Sequence, residues 1–187
     1  DKRPLPDDDY TFELEVADVA GNRVTTAPQR VRIDTTKPAL AVKAGPNLFS
    51  PNGDGVKDES LLTPDYKDAG PIAGWKIIVS DTRREDVFVS SGVGRLPLAV
   101  AFKGRARESG ALPDGAYNYV FSAEDEVGNR ATTPEQIVRI DNTAPAVTLT
   151  ADPTLFSPNA DGVKDDTVFQ LDFKDQSDIS GWKLTVS

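Results

Sequence analysis

The 187-residue chain has no cysteine, no histidine and no methionine. Without cysteine there can be no disulfide framework. Without cysteine and histidine, zinc sites of the usual kind lack their ligands. Nucleophilic centres of the Cys/His or Ser/His/Asp kind are excluded for the same reason. No run approaches the ~18–20 consecutive apolar residues that span a bilayer, so membrane insertion is not expected. The opening Asp1-Lys2-Arg3-Pro4 reads as a fragment boundary rather than a leader. Positive charge is also in deficit. The formal net charge is −9 and the pI about 4.5, so there is no basic stripe for nucleic acid and no attraction to anionic lipid. Acidity of this size is ordinarily solubility, and it is compatible with cation binding.

What the sequence does have is a repeat. Phe49-Ser50-Pro51-Asn52-Gly53-Asp54-Gly55-Val56-Lys57-Asp58 returns as Phe156-Ser157-Pro158-Asn159-Ala160-Asp161-Gly162-Val163-Lys164-Asp165, a spacing of 107 residues. Gly21-Asn22-Arg23, Gly74-Trp75-Lys76 and Leu5-Pro6-Asp7 recur at the same spacing. A period this long is a small domain rather than a solenoid turn. Ile33-Asp34-Thr35-Thr36-Lys37-Pro38 and Ile140-Asp141-Asn142-Thr143-Ala144-Pro145 each close a β-like run with polar residues and a proline, which reads as a joint between modules. The phase predicts one complete module at 39–145. Residues 1–38 are then the end of a preceding module and 146–187 the beginning of a following one.

Within a module the apolar residues alternate. Tyr10, Phe12, Leu14 and Val16, and their counterparts Tyr117, Tyr119 and Phe121, have the period of two of a half-buried strand. Leu40/Val42, Leu62/Pro64/Tyr66, Trp75/Ile77/Val79, Val87–Val89, Leu98/Val100/Phe102 and Val138/Ile140 supply the other rows. Pro64 suggests an edge or a bulge. Seven or so short strands with Gly/Pro/Asp turns predict an all-β fold: tandem antiparallel immunoglobulin-like (fibronectin III-like) β-sandwich modules. Trp75 and Trp182 lie in phase with their strands' apolar faces and are expected as core anchors rather than ligand platforms.

Three blocks in order carry a family resemblance: Phe-Ser-Pro-Asn-Gly-Asp-Gly at 49–55, Gly-Trp-Lys-Ile-Ile-Val-Ser-Asp at 74–81, and Leu-Pro-Asp-Gly-Ala-Tyr-Asn-Tyr at 112–119. The chain resembles the immunoglobulin-like domain of flagellar hook-cap proteins, and related modules of bacterial surface proteins and gliding-motility-type C-terminal domains. Where that family often has Trp-Asp-Gly, this sequence has Phe102-Lys103-Gly104. The resemblance implies a repetitive extracytoplasmic stalk or adhesive region, extracellular, at the cell surface or periplasmic, and implies no catalysis.

The acidic loop is the candidate site. Set against a calcium loop, Asn52, Asp54, the Val56 carbonyl and Asp58 fall at ligand positions, as do Asn159, Asp161, Val163 and Asp165 in the second copy. The bidentate glutamate is missing, with Leu61 in its place, so any calcium affinity would be weak. The competing reading is a loop whose Asn and Asp side chains cap local backbone N–H groups. Asp34 and Asp141 at the joints carry the same two readings, a calcium bridge or a turn cap. Lys103, Arg105 and Arg107 read as a solvated face, and Asp7-Asp8-Asp9 as solvated turn residues. The expected function is a structural spacer whose partners are neighbouring repeats, with head-to-tail self-association of the partial modules. The alternative is a glycan- or protein-binding accessory module of a secreted enzyme.

Overall fold

The computed structural model describes residues 5–106 and 110–187; Asp1–Pro4 and Arg107 of the sequence reading lie outside them. The described residues form strands and no helix. The first segment holds β1 (Asp8–Phe12), β2 (Glu15–Ala17), β3 (Arg23–Thr25) and β4 (Gln29–Ile33), with β1 antiparallel to β4 and β2 to β3. Next come β5 (Ala39–Gly45), β6 (Leu48–Phe49), β7 (Ser60–Lys67), β8 (Ile72–Ser80), β9 (Asp86–Val93) and β10 (Val100–Phe102). They are followed by β11 (Arg105–Ala106), β12 (Gly110–Ala111), β13 (Gly115–Asp125), β14 (Arg130–Thr132) and β15 (Gln136–Ile140). The last segment is an antiparallel pair, β16 (Ala146–Asp152) and β17 (Val168–Lys174).

Residues 39–140 build two facing sheets. One has the order β10-β7-β5; the other runs β6-β15-β13-β8-β9, with β14 also on β13. The alternation seen in the sequence decides which side chains meet between them. Val42, Leu62 and Phe102 come from the first sheet, and Ile77, Val79, Tyr117, Tyr119, Phe121, Val138 and Ile140 from the second. Phe102 sits at the centre, with ring centroids 5.6 Å from Phe49, 5.5 Å from Phe88 and 6.2 Å from Tyr117. The tyrosine hydroxyls are satisfied: Tyr117 donates to the Pro113 carbonyl at 2.7 Å and Tyr119 to Gln136 Oε1 at 3.0 Å.

Several details differ from the sequence expectation. Leu98 is 90% exposed and lies just ahead of its strand, which begins at Val100, where the chain pairs with β7. Pro64 is buried in the middle strand of its sheet, yet β10 pairs only with residues 60–62. Pro64 therefore lies past the end of β10 and costs no ladder bond on that side. One pairing is parallel, β6 with β15. Position 104 requires glycine. Its φ is +58, and a Cβ there would lie 2.6 Å from Pro51 Cγ and 3.1 Å from Ile140 Cδ1. Trp75 packs partly buried against the core with its ring over Gly92. Trp182 is 64% exposed and tilted against Phe173, so the anchor role is seen at Trp75 alone.

Candidate functional site

The acidic loop follows β6. Asn52 Oδ1 accepts the Asp54 N–H at 3.0 Å and Asp54 Oδ1 accepts the Val56 N–H at 2.8 Å, two successive Asx-turns. The two oxygens of Asp58 accept the N–H groups of Gly53 and Gly55, each at 2.8 Å. Gly53 (φ +84), Gly55 (φ +87) and Lys57 (φ +54) occupy the left-handed region that this winding requires. The second loop is built alike. Asp165 accepts from Ala160 and Gly162 at 2.9 and 2.8 Å, Asn159 from Asp161 at 3.3 Å, and Asp161 from Val163 at 2.8 Å. The hydrogen bonds of Asn159 and Val163 hold the Asp161 carboxyl below its ordinary pKa. The structure thus gathers Asn52, Asp54 and Asp58, and separately Asn159, Asp161 and Asp165, around main-chain donors. Val56 and Val163 are exposed in their loops.

A second acidic site lies at the joint before β5. Carboxylate oxygens of Asp34, Asp68 and Asp125 lie within 4.8 Å of one another. Each arrives there by strand geometry. On β13 the inward row Tyr117, Tyr119, Phe121, Ala123 continues in phase to Asp125. The pairing with β8 slips between Glu124 and Asp125, a bulge that ends the ladder at this carboxylate. On β7 the inward row Leu62, Pro64, Tyr66 continues to Asp68. Asp34 follows β4, four residues before the buried Pro38.

Asp125 is 1% exposed. Its Oδ1 accepts the N–H groups of Val127 (3.0 Å) and Asn129 (2.8 Å), and its Oδ2 accepts Asn129 Nδ2 at 2.8 Å. Burial opposes its ionisation, but the Asn129 side chain and the backbone donors of the hairpin outweigh burial and hold the pKa below the ordinary value. Asn129 Nδ2 also donates to the Asp34 carbonyl at 3.2 Å, across the joint. Asp34 Oδ1 accepts the Thr36 N–H at 3.2 Å, so the expected turn cap is present. Its other oxygen faces Gly70, 3.6 Å from where a Cβ would stand. Tyr66 donates its hydroxyl to Asp68 Oδ2 at 3.0 Å. Burial, that hydrogen bond and the charges of Asp68, Asp125 and Asp34 all push the Tyr66 phenol pKa upward. Among the described residues, no lysine or arginine forms an ion pair with any of the three carboxylates.

The joints have a further clamp. Asp114 Oδ1 accepts the Asn142 N–H at 2.8 Å and its Oδ2 accepts the Thr143 hydroxyl at 2.6 Å. Asp7 does the same to Thr35 and Thr36, at 2.9 and 2.5 Å. Asp7, exposed in the bend before β1, is thus a joint clamp as well as a solvated turn residue. The signal was its alignment with Asp114. The roles of Asp68 and Asp125 had a signal too: each is a carboxylate in the apolar phase of its strand.

A sequence model described as a bacterial Ig-like domain matches residues 3–35 and 68–142, and one described as a bacterial Ig-like domain of group 3 matches residues 106–180. The chain belongs to the bacterial Ig-like domain family. No curated protein matches it. Among solved structures it is similar to dimeric latent PorU from Porphyromonas gingivalis, at 16% identity and a TM-score of 0.44 over 73% of this chain and 12% of that one. As a bacterial Ig-like protein the chain is of a kind that is typically a non-catalytic module. Among the described residues no helix is long and apolar enough to cross a membrane.

Proposed function

We propose that this chain is a run of non-catalytic spacer modules from a bacterial surface or secreted protein. In this reading 39–145 is one complete module, 1–38 ends the module before it and 146–187 begins the module after it. Its partners are then the neighbouring repeats. The support is a comparison of counterparts. Phe12 and Leu14 are 57% and 60% exposed, whereas Tyr119 and Phe121, their counterparts at a spacing of 107, are 3% and 0% exposed. Faces so apolar belong against the remainder of a module. The hook-cap type is a finer assignment within the same reading, resting on the three sequence blocks.

The observation that carries the functional part is the convergence of Asp34, from one module, on Asp68 and Asp125, from the next. We propose that calcium held there stiffens the joint. Three carboxylates, with carbonyls nearby, are the hard oxygen donors such an ion takes. Bringing them together without a cation is unfavourable, since like charges at this separation repel. Asp141 and Asp175 repeat Asp34 and Asp68 at the following joint. The loop at 50–58 is the other candidate for the ion, with its carboxylate oxygens already accepting backbone N–H groups.

Terbium luminescence tests this, because Tyr66 lies beside the joint and can sensitise a bound lanthanide. The expected result is emission that calcium competes away, that Asp34→Asn and Asp68→Asn abolish, and that Asp54→Asn with Asp58→Asn leaves intact. Loss with the loop pair alone would assign the ion to Asn52, Asp54, Val56 and Asp58. Absence of any calcium-competed emission would remove the ion from the account and leave the spacer reading to be judged on shape.

A further inference from the structure

The loop at 50–58 contains two Asx–glycine pairs, Asn52-Gly53 and Asp54-Gly55. In such a pair the glycine amide nitrogen can attack the side-chain carbonyl carbon of the residue before it, because no Cβ hinders the approach. At Asn52 the new bond joins Gly53 N to Asn52 Cγ. The Cγ–Nδ2 bond breaks, and ammonia leaves with the amide proton. Water then opens the cyclic imide at either carbonyl, giving aspartate or isoaspartate. Water is the only co-reactant.

In the folded loop both attacking nitrogens are engaged. The Gly53 N–H is held by Asp58 Oδ1 and the Gly55 N–H by Asp58 Oδ2, each at 2.8 Å. The Asn52 amide is held away by its own bonds, with Oδ1 accepting from the Asp54 N–H at 3.0 Å and Nδ2 donating to Asp54 Oδ2 at 3.1 Å. These contacts must break before the Gly53 nitrogen can turn towards Asn52 Cγ. The second loop keeps the carboxylate clamp through Asp165 but has Ala160 after Asn159, and the added methyl slows attack there.

We propose that Asn52 is a site of spontaneous backbone-mediated deamidation, and that Asp58 is the positioning residue that holds it in check. The consequence reaches past the loop. Pro51 packs on Gly104 beside Phe49, and Ser50 Oγ lies 3.4 Å from Asn142 Oδ1 in the following joint. An isoaspartate at 52 would lengthen this backbone by one methylene and add a charge beside Asp54 and Asp58.

The test follows peptides spanning Asn52 and Asn159 by mass spectrometry during incubation of the full chain at mildly alkaline pH. Native protein is compared with the same chain in guanidinium, which needs no variant. Asn52 is expected to convert faster than Asn159 in guanidinium, and more slowly in the native chain than in the unfolded one. In the native chain Asp58→Asn is expected to accelerate Asn52 about tenfold, the effect of losing one hydrogen bond of ordinary net strength, and to leave Asn159 unchanged. Gly53→Ala should bring the unfolded rate at 52 down to that at 159. Equal native and unfolded rates at Asn52 would overturn the proposal. So would an Asp58→Asn chain that converts no faster than the parent, since Asp58 would then be a bystander or a base that assists the attack.

Discussion

Asp114 and Asp125 each hold a turn through charge-assisted hydrogen bonds, and both depend on staying ionised. Burial raises the pKa of each, and the Thr143 and Asn142 donors at Asp114, like Asn129 at Asp125, lower it further than burial raises it. A depressed folded pKa means that the stabilisation is fully present above the unfolded value of 3.8 and is lost as pH falls through the folded value. The melting temperature should therefore fall on acidification below about that value, and Asp114→Ala should flatten this acid limb. At neutral pH the same substitution should cost about 1–2 kcal/mol, the loss of more than one modest hydrogen bond. A denaturant melt measures both.

Glycine positions separate two kinds of constraint. Gly53 has φ +84 with open space around its missing Cβ, so Gly53→Ala should cost about 1 kcal/mol, for backbone strain alone. The second loop already carries Ala160 at φ +61, which makes that modest cost credible. Gly104 has both a positive φ and a crowded site, so Gly104→Ala should cost about 2–3 kcal/mol. Urea melts of the two variants should separate clearly.

At the scale of elements, alternation makes the sandwich legible in the sequence alone. Tyr117, Tyr119, Phe121 and Val138 lie where their phase placed them. The joint carboxylates were harder to see. A polar residue at the end of an apolar row looks like the end of the strand, and only the bulge at Glu124/Asp125 and the proximity of β7 reveal that the row continues. The parallel β6–β15 pairing spans two residues, too short to leave a period in sequence. The loop was legible as an Asn/Asp/Gly winding, but which oxygens meet which N–H groups is a matter of three-dimensional geometry. Phe102 joins the two sheets through Phe49, Phe88 and Tyr117, so Phe102→Ala should cost about 3–5 kcal/mol. A smaller loss by calorimetry would mean that the sheets close over the gap.

At the scale of the whole molecule, the account rests on modules held end to end by joints. Both joints carry an Asp clamp on the turn, at Asp7 and Asp114, and the one before β5 adds the Asn129 bond to Asp34 and the three converging carboxylates. Small-angle scattering of the full chain, in chelator and in millimolar calcium, tests this most directly. The prediction is an elongated particle whose distance distribution narrows when calcium is added. A globular profile, or an elongated one indifferent to calcium, would contradict the account of a spacer stiffened at its joints.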